Sequence, residues 1–241
     1  MTPYRAEDLH GYYAYEFFSR SPEWHGLKRA AKAVAVHRFL ERTGQASPHV
    51  SASIYSLRGL RSDREILLWL WGDSLEAISD FVGPLLEAPV APHLALVETR
   101  LATRRVSAYT GTEEAPPPPA RRYLFVYPFV RTRPWYQLPA EERGRLMQGH
   151  IAAGRAFPGV LIHTGYSFGL DDQDFYLAFE TDNVGEFQSL LMTMRELPIT
   201  GYTERDTPMY VGIRRTAEEL KRELLEGGVP GRSSGTRKDP R

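Results

Sequence analysis

The chain has 241 residues, and 42% of them are hydrophobic, so it can bury a core in one large domain or two small ones. Lysine plus arginine and aspartate plus glutamate both number 30, a balance that offers no global attraction for nucleic acid or an anionic membrane. Cysteine is absent, which excludes disulfides, zinc–thiolate sites, iron–sulfur clusters and cysteine nucleophiles. Without an apolar leader or a run of ~18 apolar residues, we expect a cytoplasmic protein with no membrane span.

Residues 1–110 predict a βαββαβ order. An aromatic-rich strand comes first, then a helix with alanine and valine at helical spacing, two strands around a turn, a helix capped by Asp73, and a long strand. The predicted elements lie at 9–18, 27–42, 49–57, 65–71, 74–86 and 94–108. This half carries no motif that indicates a ligand.

Four consecutive prolines at 116–119 mark residues 111–120 as an extended linker. The same order then returns in residues 121–215, with elements at 122–130, 139–157, 160–168, 174–180, 183–197 and 209–213. A βαββαβ unit is the ferredoxin-like motif, so the sequence predicts an α+β protein of two tandem ferredoxin-like halves. Burying the two open sheet faces against each other gives a barrel-like core with the helices outside. Residues 216–241 predict a charged helix and a disordered tail.

The helix predicted at 139–157 carries a candidate metal ligand, His150. Proline at its first position and glutamates in its first turn favour a helix start. Residues at spacings of one, three and four share the face that a core-facing helix buries. They are Leu146, Met147, His150, Ile151 and Gly154. A lone inward histidine is more often a hydrogen-bonded core residue than a ligand, so spacing alone leaves both interpretations open.

The strand before this helix carries an aromatic stripe. Alternation puts Leu124 and Val126 on one face and an aromatic set on the other. The aromatic set is Tyr123, Phe125, Tyr127 and Phe129. Such a stripe beside an inward histidine suits a planar apolar ligand, and the alternative is that these rings simply fill a barrel.

His163 is a second histidine in this half, within the strand predicted at 160–168. Alternation groups it with Leu161, Gly165 and Ser167, facing either the interior or solvent. The pattern leaves both orientations open.

Three stretches of the second half resemble the chlorite dismutase family of haem proteins, and within it the coproheme decarboxylase branch. They read YPFVRTRPWYQLPAEERGRLMQGHIAAGRAFPGV, YSFGLDDQDFYLAFETD and MRELPITGYTERDTPMYVG. The first half matches the family only in length and element order, which agrees with the family's tandem ferredoxin-like fold and ligand-free first half.

The resemblance implies roles for particular residues. His150 matches the proximal ligand of the haem iron, and Met147 lies within the matched cofactor-binding motif. Tyr127 matches a tyrosine whose radical begins substrate oxidation, and Arg131 matches a basic position that helps to hold a propionate. The family's spacing from the proximal histidine to the distal residue reaches His163, where true chlorite dismutases have arginine. An imidazole there is expected to deprotonate peroxide.

The resemblance therefore implies a coproheme decarboxylase in which iron coproporphyrin is both substrate and redox centre and hydrogen peroxide is the oxidant. A radical on Tyr127 would oxidise a propionate, carbon dioxide would leave a vinyl group, and two rounds would give haem b. The family also implies a ring of five subunits. Two departures concern the propionates: the loop at 132–134 is short, and Tyr202 lies near where some members have arginine.

Three alternatives remain from the sequence. One is a chlorite dismutase-like or general haem peroxidase, which the missing distal arginine disfavours. Another is a haem carrier or sensor that keeps His150 and never activates peroxide. The last is a structural barrel protein without a ligand.

Overall fold

A computed structural model describes residues 5–111 and 121–226, and it confirms the βαββαβ order of both halves. The first half consists of β1 (Leu9–Arg20), α1 (Arg29–Thr43), β2 (Val50–Ser56), β3 (Ile66–Gly72), α2 (Leu75–Val82) and β4 (Leu94–Arg105). The second consists of β5 (Tyr123–Arg131), α3 (Arg133–Gln137), α4 (Ala140–Arg155), β6 (Val160–Tyr166), β7 (Phe175–Thr181), α5 (Val184–Arg195), β8 (Thr203–Arg205) and β9 (Tyr210–Arg214). The charged helix is α6 (Ala217–Glu226). The predictions for residues 112–120 and for the tail from 227 lie outside the described residues.

Several short elements were not predicted, among them α3, β8 and the 3-10 turns. Each is too short for a periodic hydrophobic pattern to reveal it. The cap of α2 was misplaced by one residue: Ser74 is the N-cap, and its hydroxyl accepts a hydrogen bond from the Ala77 amide, whereas Asp73 precedes it. Asn183 caps α5 in the same way.

The strands close into a barrel. Each half forms a ferredoxin-like sheet, β4-β1-β3-β2 in the first and β9-β5-β7-β6 in the second. The halves join at two seams, because β2 pairs with β9 and β4 pairs with β6. The predicted barrel with external helices is therefore confirmed.

A glycine lies at each seam, where the two halves approach closely. A Cβ on Gly165 of β6 would lie 2.5 Å from the Cβ of Ala102 on β4. A Cβ on Gly212 of β9 would lie 2.7 Å from the Cβ of Tyr55 on β2. Both distances are shorter than non-bonded carbon atoms tolerate, so only glycine lets the strands pair at these points.

Inward-facing residues of both halves fill the barrel with one aromatic-rich core. The core consists of Tyr13, Tyr15, Phe17, Tyr55, Leu57, Leu67, Trp69, Trp71, Ala102, Leu124, Val126, Tyr176, Ala178 and Tyr210. Because both sheets also carry apolar residues on their outer faces, helices cover the barrel from outside. Within residues 5–111 and 121–226, none of the helices has the length and apolarity to cross a bilayer.

Candidate functional site

The predicted aromatic stripe lies on the outer face of β5, toward the helices of the second half. Leu124 and Val126 point into the barrel, as the alternation predicted. Two of the stripe's rings stack on protein partners: Phe125 on Phe187 of α5 at 3.9 Å between centroids, and Tyr127 on Phe179 of β7 at 5.5 Å. Part of the stripe is thus core packing, as the alternative interpretation held.

Tyr127 is only 4% exposed. Burial raises the pKa of its phenol above the ordinary value, the carboxylate of Asp206 raises that pKa further, and Arg195 opposes the rise. Arg195 and Asp206 are themselves joined by an ion pair of 2.7 Å. Tyr127 is therefore a protonated phenol at neutral pH.

Helix α4 brings His150 to the same side of the sheet. Leu146 anchors the helix in a small cluster with Trp135 of α3 and Ile199, and Met147 packs against that cluster. One turn later His150 is half-buried, and in the part of the chain that is described its Nδ1 is buried without a hydrogen-bond partner. A buried ring nitrogen without a partner is costly, and a bound ligand is one way to satisfy it.

The protonation state of His150 suits metal binding. Burial lowers the pKa of the imidazole to about 4, and the positive charge of Arg131 contributes to the decrease. At neutral pH the ring is uncharged and one of its nitrogens carries a free lone pair. Neutral imidazole is the form that binds iron in haem proteins.

Arg131 ends β5 and is 7% exposed. Its guanidinium lies between two rings, 4.6 Å from the centroid of Phe129 and 4.7 Å from that of Trp135, and donates to the Ile199 carbonyl at 3.1 Å. Burial lowers its pKa to about 10, so it stays charged at neutral pH. This fixed cation, whose field reaches His150, provides the positive edge that a carboxylate on a ligand would need.

His163 does not join this group, and the distal role predicted for it is corrected. The pleat of β6 turns its side chain into the barrel, where it is 3% exposed and packs edge-on against Trp69 and Trp71 at 5.0 and 5.5 Å. Its Nε2 lies 3.2 Å from the Oε2 atom of Glu180, which is fully buried. The sheet itself separates His163 from Tyr127 and α4, so it cannot reach a ligand bound beneath α4.

Ile162, and not His163, is the residue of β6 that points toward α4. It lies on the outer face of β6, and its Cδ1 would be 3.7 Å from a Cβ at Gly154 of α4, one turn beyond His150. Nevertheless it is 42% exposed. An exposed large apolar side chain on this face is available to contact a ligand. A count of residues from His150 missed it, because only the alternation of β6 decides which of two neighbours faces α4.

These residues lie on the outer side of the second half, in the region between α4 and the outer faces of β5 and β6, which we term the cleft. They combine a neutral imidazole, an exposed aliphatic side chain on β6, an aromatic strand and a buried guanidinium. A planar apolar group with a metal at its centre and carboxylates at its edge fits this set of side chains. The fold defines an α+β barrel protein of two ferredoxin-like halves.

Comparison with known proteins places the chain in a family. Residues 28–215 match the family model described as chlorite dismutase. The coproheme decarboxylase of Mycolicibacterium smegmatis is 30% identical over 219 residues, covering 87% of this chain and 92% of that protein. The chain belongs to the chlorite dismutase family.

Solved structures agree on the fold. The chlorite dismutase of Candidatus Nitrospira defluvii in complex with imidazole superposes with a TM-score of 0.81 at 21% identity, over 90% of this chain and 96% of that one. A mutant of the same enzyme gives a TM-score of 0.82 at 21% identity and the same coverage. At this level of identity the likeness concerns the fold.

Proposed function

We propose that the cleft binds an iron porphyrin with His150 as the axial ligand, and that the protein is a peroxide-dependent coproheme decarboxylase. The observation that carries the proposal is the neutral, half-buried His150, whose Nδ1 has no hydrogen-bond partner among the described residues and which lies on the side of the sheet where Ile162 is exposed. The similarity to the Mycolicibacterium smegmatis coproheme decarboxylase supports the choice of substrate. A barrel without a ligand is the remaining alternative.

Three further side chains would hold the substrate. Arg131 offers a charged guanidinium to a propionate, and its aromatic cage fixes it in place. Met147 packs one turn from His150 and would border the ring. Tyr202 packs against Trp135 at 5.7 Å between centroids, and offers a hydroxyl at the position where the family resemblance suggested arginine. When bound, the iron porphyrin supplies the redox centre and the two propionates that lose their carboxyl groups.

Tyr127 is the residue we assign to the radical step. Its raised pKa keeps the phenol protonated, so it must release a proton together with an electron when it is oxidised. Burial against Phe179 keeps water from the ring and prolongs the life of a radical there. The radical would then take a hydrogen atom from the propionate carbon next to the porphyrin ring, which restores the phenol. With the peroxide-oxidised porphyrin as acceptor of the second electron, loss of carbon dioxide would leave a vinyl group.

Ile162 bears on the choice among oxidants. An aliphatic wall offers neither a cation to hold an oxychlorine anion nor a base to deprotonate peroxide, so we propose that the oxidant enters as neutral hydrogen peroxide. This disfavours chlorite as a substrate. The same wall also suits a carrier that holds haem b inertly, and that is the second candidate.

Localisation and assembly follow from the family resemblance alone. We propose a cytoplasmic enzyme that forms a homopentamer. Light scattering of the purified protein tests the assembly, with a mass five times that of the 27.4 kDa chain as the expected value.

Addition of hydrogen peroxide to the coproheme-loaded protein tests the function. We expect mass spectrometry of the porphyrin to show stepwise loss of two carboxyl groups as carbon dioxide, ending at haem b. Stable binding of coproheme with bleaching and no decarboxylation would support the carrier and overturn the enzyme. Free coproheme treated identically is the control for chemistry that needs no protein.

A further inference from the structure

The barrel interior holds a continuous set of oxidisable rings directly beneath the sheet that carries Tyr127. Tyr15 lies 4.5 Å from Tyr176 and stacks on Trp69 at 5.8 Å, and Trp69 lies 5.4 Å from Trp71, all between centroids. Among side chains that contain no sulfur, tyrosine and tryptophan lose an electron most readily. These four rings come from both halves of the chain and are buried.

The set begins next to Tyr127. On β5 and β7 Tyr127 pairs with Leu177, and the neighbouring Pro128 pairs with Tyr176. Tyr127 faces the cleft and Tyr176 faces the barrel, so one thickness of sheet separates the two phenols. Tyr176 therefore lies on the opposite face of the sheet from Tyr127, one register position away.

Another tyrosine of the same barrel core, Tyr55, has its own proton acceptor. The Tyr55 hydroxyl donates to Oε1 of Glu180 at 2.7 Å, and His163 lies 3.2 Å from the other oxygen of the same carboxylate. Glu180 is fully buried, so this acceptor is fixed in position. A phenol that can pass its proton along an existing hydrogen bond loses an electron far more easily than one that cannot.

The other interior rings are less suited to keep a radical. In the described residues the Trp69 indole nitrogen and the Tyr176 hydroxyl are buried without a hydrogen-bond partner, so neither has a base to receive its proton. Tyr210 also donates to a carboxylate, that of Glu98, at 2.8 Å. Two guanidiniums already bind Glu98 and lower its pKa, which makes it a poor proton acceptor.

We propose that the barrel interior protects the site from uncontrolled oxidation, with the tryptophans as an electron relay and the Tyr55–Glu180 pair as the end of the relay. The inference rests on the proposed function for its source of radicals. When no propionate reacts, the Tyr127 radical takes up one electron, takes back the proton that it released on oxidation, and becomes a phenol again. The electron comes from Tyr55 by way of Trp69, and the Tyr55 proton moves to the Glu180 carboxylate.

The step balances, and it can be reversed. One phenol is restored at Tyr127, while Tyr55 becomes a neutral radical and Glu180 a neutral acid. A soluble one-electron reductant, such as a thiol or ascorbate, then supplies an electron to Tyr55, and Glu180 returns the proton. The radical is thereby moved from Tyr127 to Tyr55, where a reductant can convert it back to a phenol.

Two experiments test the relay. In the first, porphyrin-loaded protein receives limiting hydrogen peroxide without reductant or free substrate, and oxidised residues are located by peptide mass spectrometry. We expect severalfold more oxidation at Tyr55, Trp69 and Trp71 than at Trp24, which is just as buried, at 2% exposed, but belongs to the outer core of the first half. Oxidation confined to Tyr127 and Trp135 of the cleft would overturn the proposal.

The second experiment needs no porphyrin. Azidyl radicals made by pulse radiolysis oxidise tryptophan in the unloaded protein, and optical absorption follows the conversion of indole radicals into phenoxyl radicals. We expect Tyr55→Phe to remove most of this conversion and Tyr12→Phe, on the outer face of β1, to leave it unchanged. Equal conversion in both variants would overturn the relay. If Tyr55→Phe does not fold, the residue map of the wild type decides alone.

The two experiments separate the relay from the function on which it rests. Failure to bind porphyrin, seen in the absorption spectrum before peroxide is added, would count against the proposed function. The radiolysis result would still support or overturn the relay.

Discussion

The two halves of the molecule share one topology and differ in what covers the outer face of each sheet. In the first half α1, α2 and α6 close over a single core, to which α6 contributes Leu220 and Leu224. In the second half α4 and α5 cover the sheet and leave Ile162 open. The last described helix thus packs on the first half, whereas the second half is covered by α4 and α5, with the short α3 packed against α4.

The difference extends to the helices themselves. Helix α1 buries Ala35, Val36 and Phe39 against its sheet, whereas α4 fully buries only Leu146 among its described residues. A helix that gives up apolar contacts with its own sheet needs another partner to recover that free energy. We propose that the porphyrin is the partner that α4 contacts.

The largest expected effect is on chemistry in the second half. Tyr127→Phe should abolish release of carbon dioxide from coproheme while coproheme still binds, because the ring remains and only the oxidisable hydroxyl is lost. Mass spectrometry of the porphyrin after peroxide gives the readout. Tyr12→Phe, in the first half, is the matched control and should decarboxylate normally. Undiminished turnover by Tyr127→Phe would rule out the assigned radical step.

His163→Ala should affect folding and leave porphyrin binding intact. It removes the partner of a fully buried carboxylate, so we expect a loss of roughly 3 kcal/mol in the free energy of unfolding, measured with urea. His163→Gln keeps a donor near Glu180 and should lose less. A change in the porphyrin spectrum at unchanged stability would restore the distal role that the structure denies to His163.

Shortening an apolar side chain should reduce the free energy of unfolding more on the outer side of the first half than on that of the second. Leu220→Ala in the sealed half should lower the free energy of unfolding by about 2–5 kcal/mol, because Leu220 is fully buried. Ile162→Ala should cost less than about 1 kcal/mol in the unloaded protein, because that side chain is 42% exposed. Equal costs would mean that α4 closes the second half as tightly as α6 closes the first.

A further effect is the pH dependence of the unloaded protein. The pKa of His150 is about 4 in the folded state, against 6.5 for a free side chain. The unfolded chain therefore binds a proton first, so His150 lowers stability as the pH falls from 6.5 toward 4 and contributes nothing above that range. Urea titrations at several pH values should show a shallower acid decrease for His150→Ala than for the wild type. Parallel curves would indicate that His150 is already protonated or exposed.

The sequence predicts the element order of both halves, because long strands and helices carry strong periodic patterns. It also assigns the two faces of β5 correctly, since Tyr127 and its aromatic neighbours alternate with aliphatic residues. The sequence does not predict which face of β6 points toward α4. Both of its faces are covered, one by the barrel and one by α4, so the pattern around Ile162 and His163 does not indicate which faces the cleft.

Long-range features also lie outside the sequence pattern. The requirement for glycine at Gly165 and Gly212 becomes apparent only when the two halves meet. The fit of α6 onto the first half depends on three-dimensional closure as well, because the sequence predicts only a charged helix there.

Coproheme titration into the unloaded protein tests the central claim most directly, with the porphyrin absorption band as the readout. The wild type and His37→Ala, which alters an exposed histidine on the corresponding helix α1, should both give the spectrum of imidazole-ligated iron. His150→Ala should lose that spectrum, and added imidazole should restore it. An unchanged spectrum in His150→Ala would show that another residue binds the iron and would contradict the account.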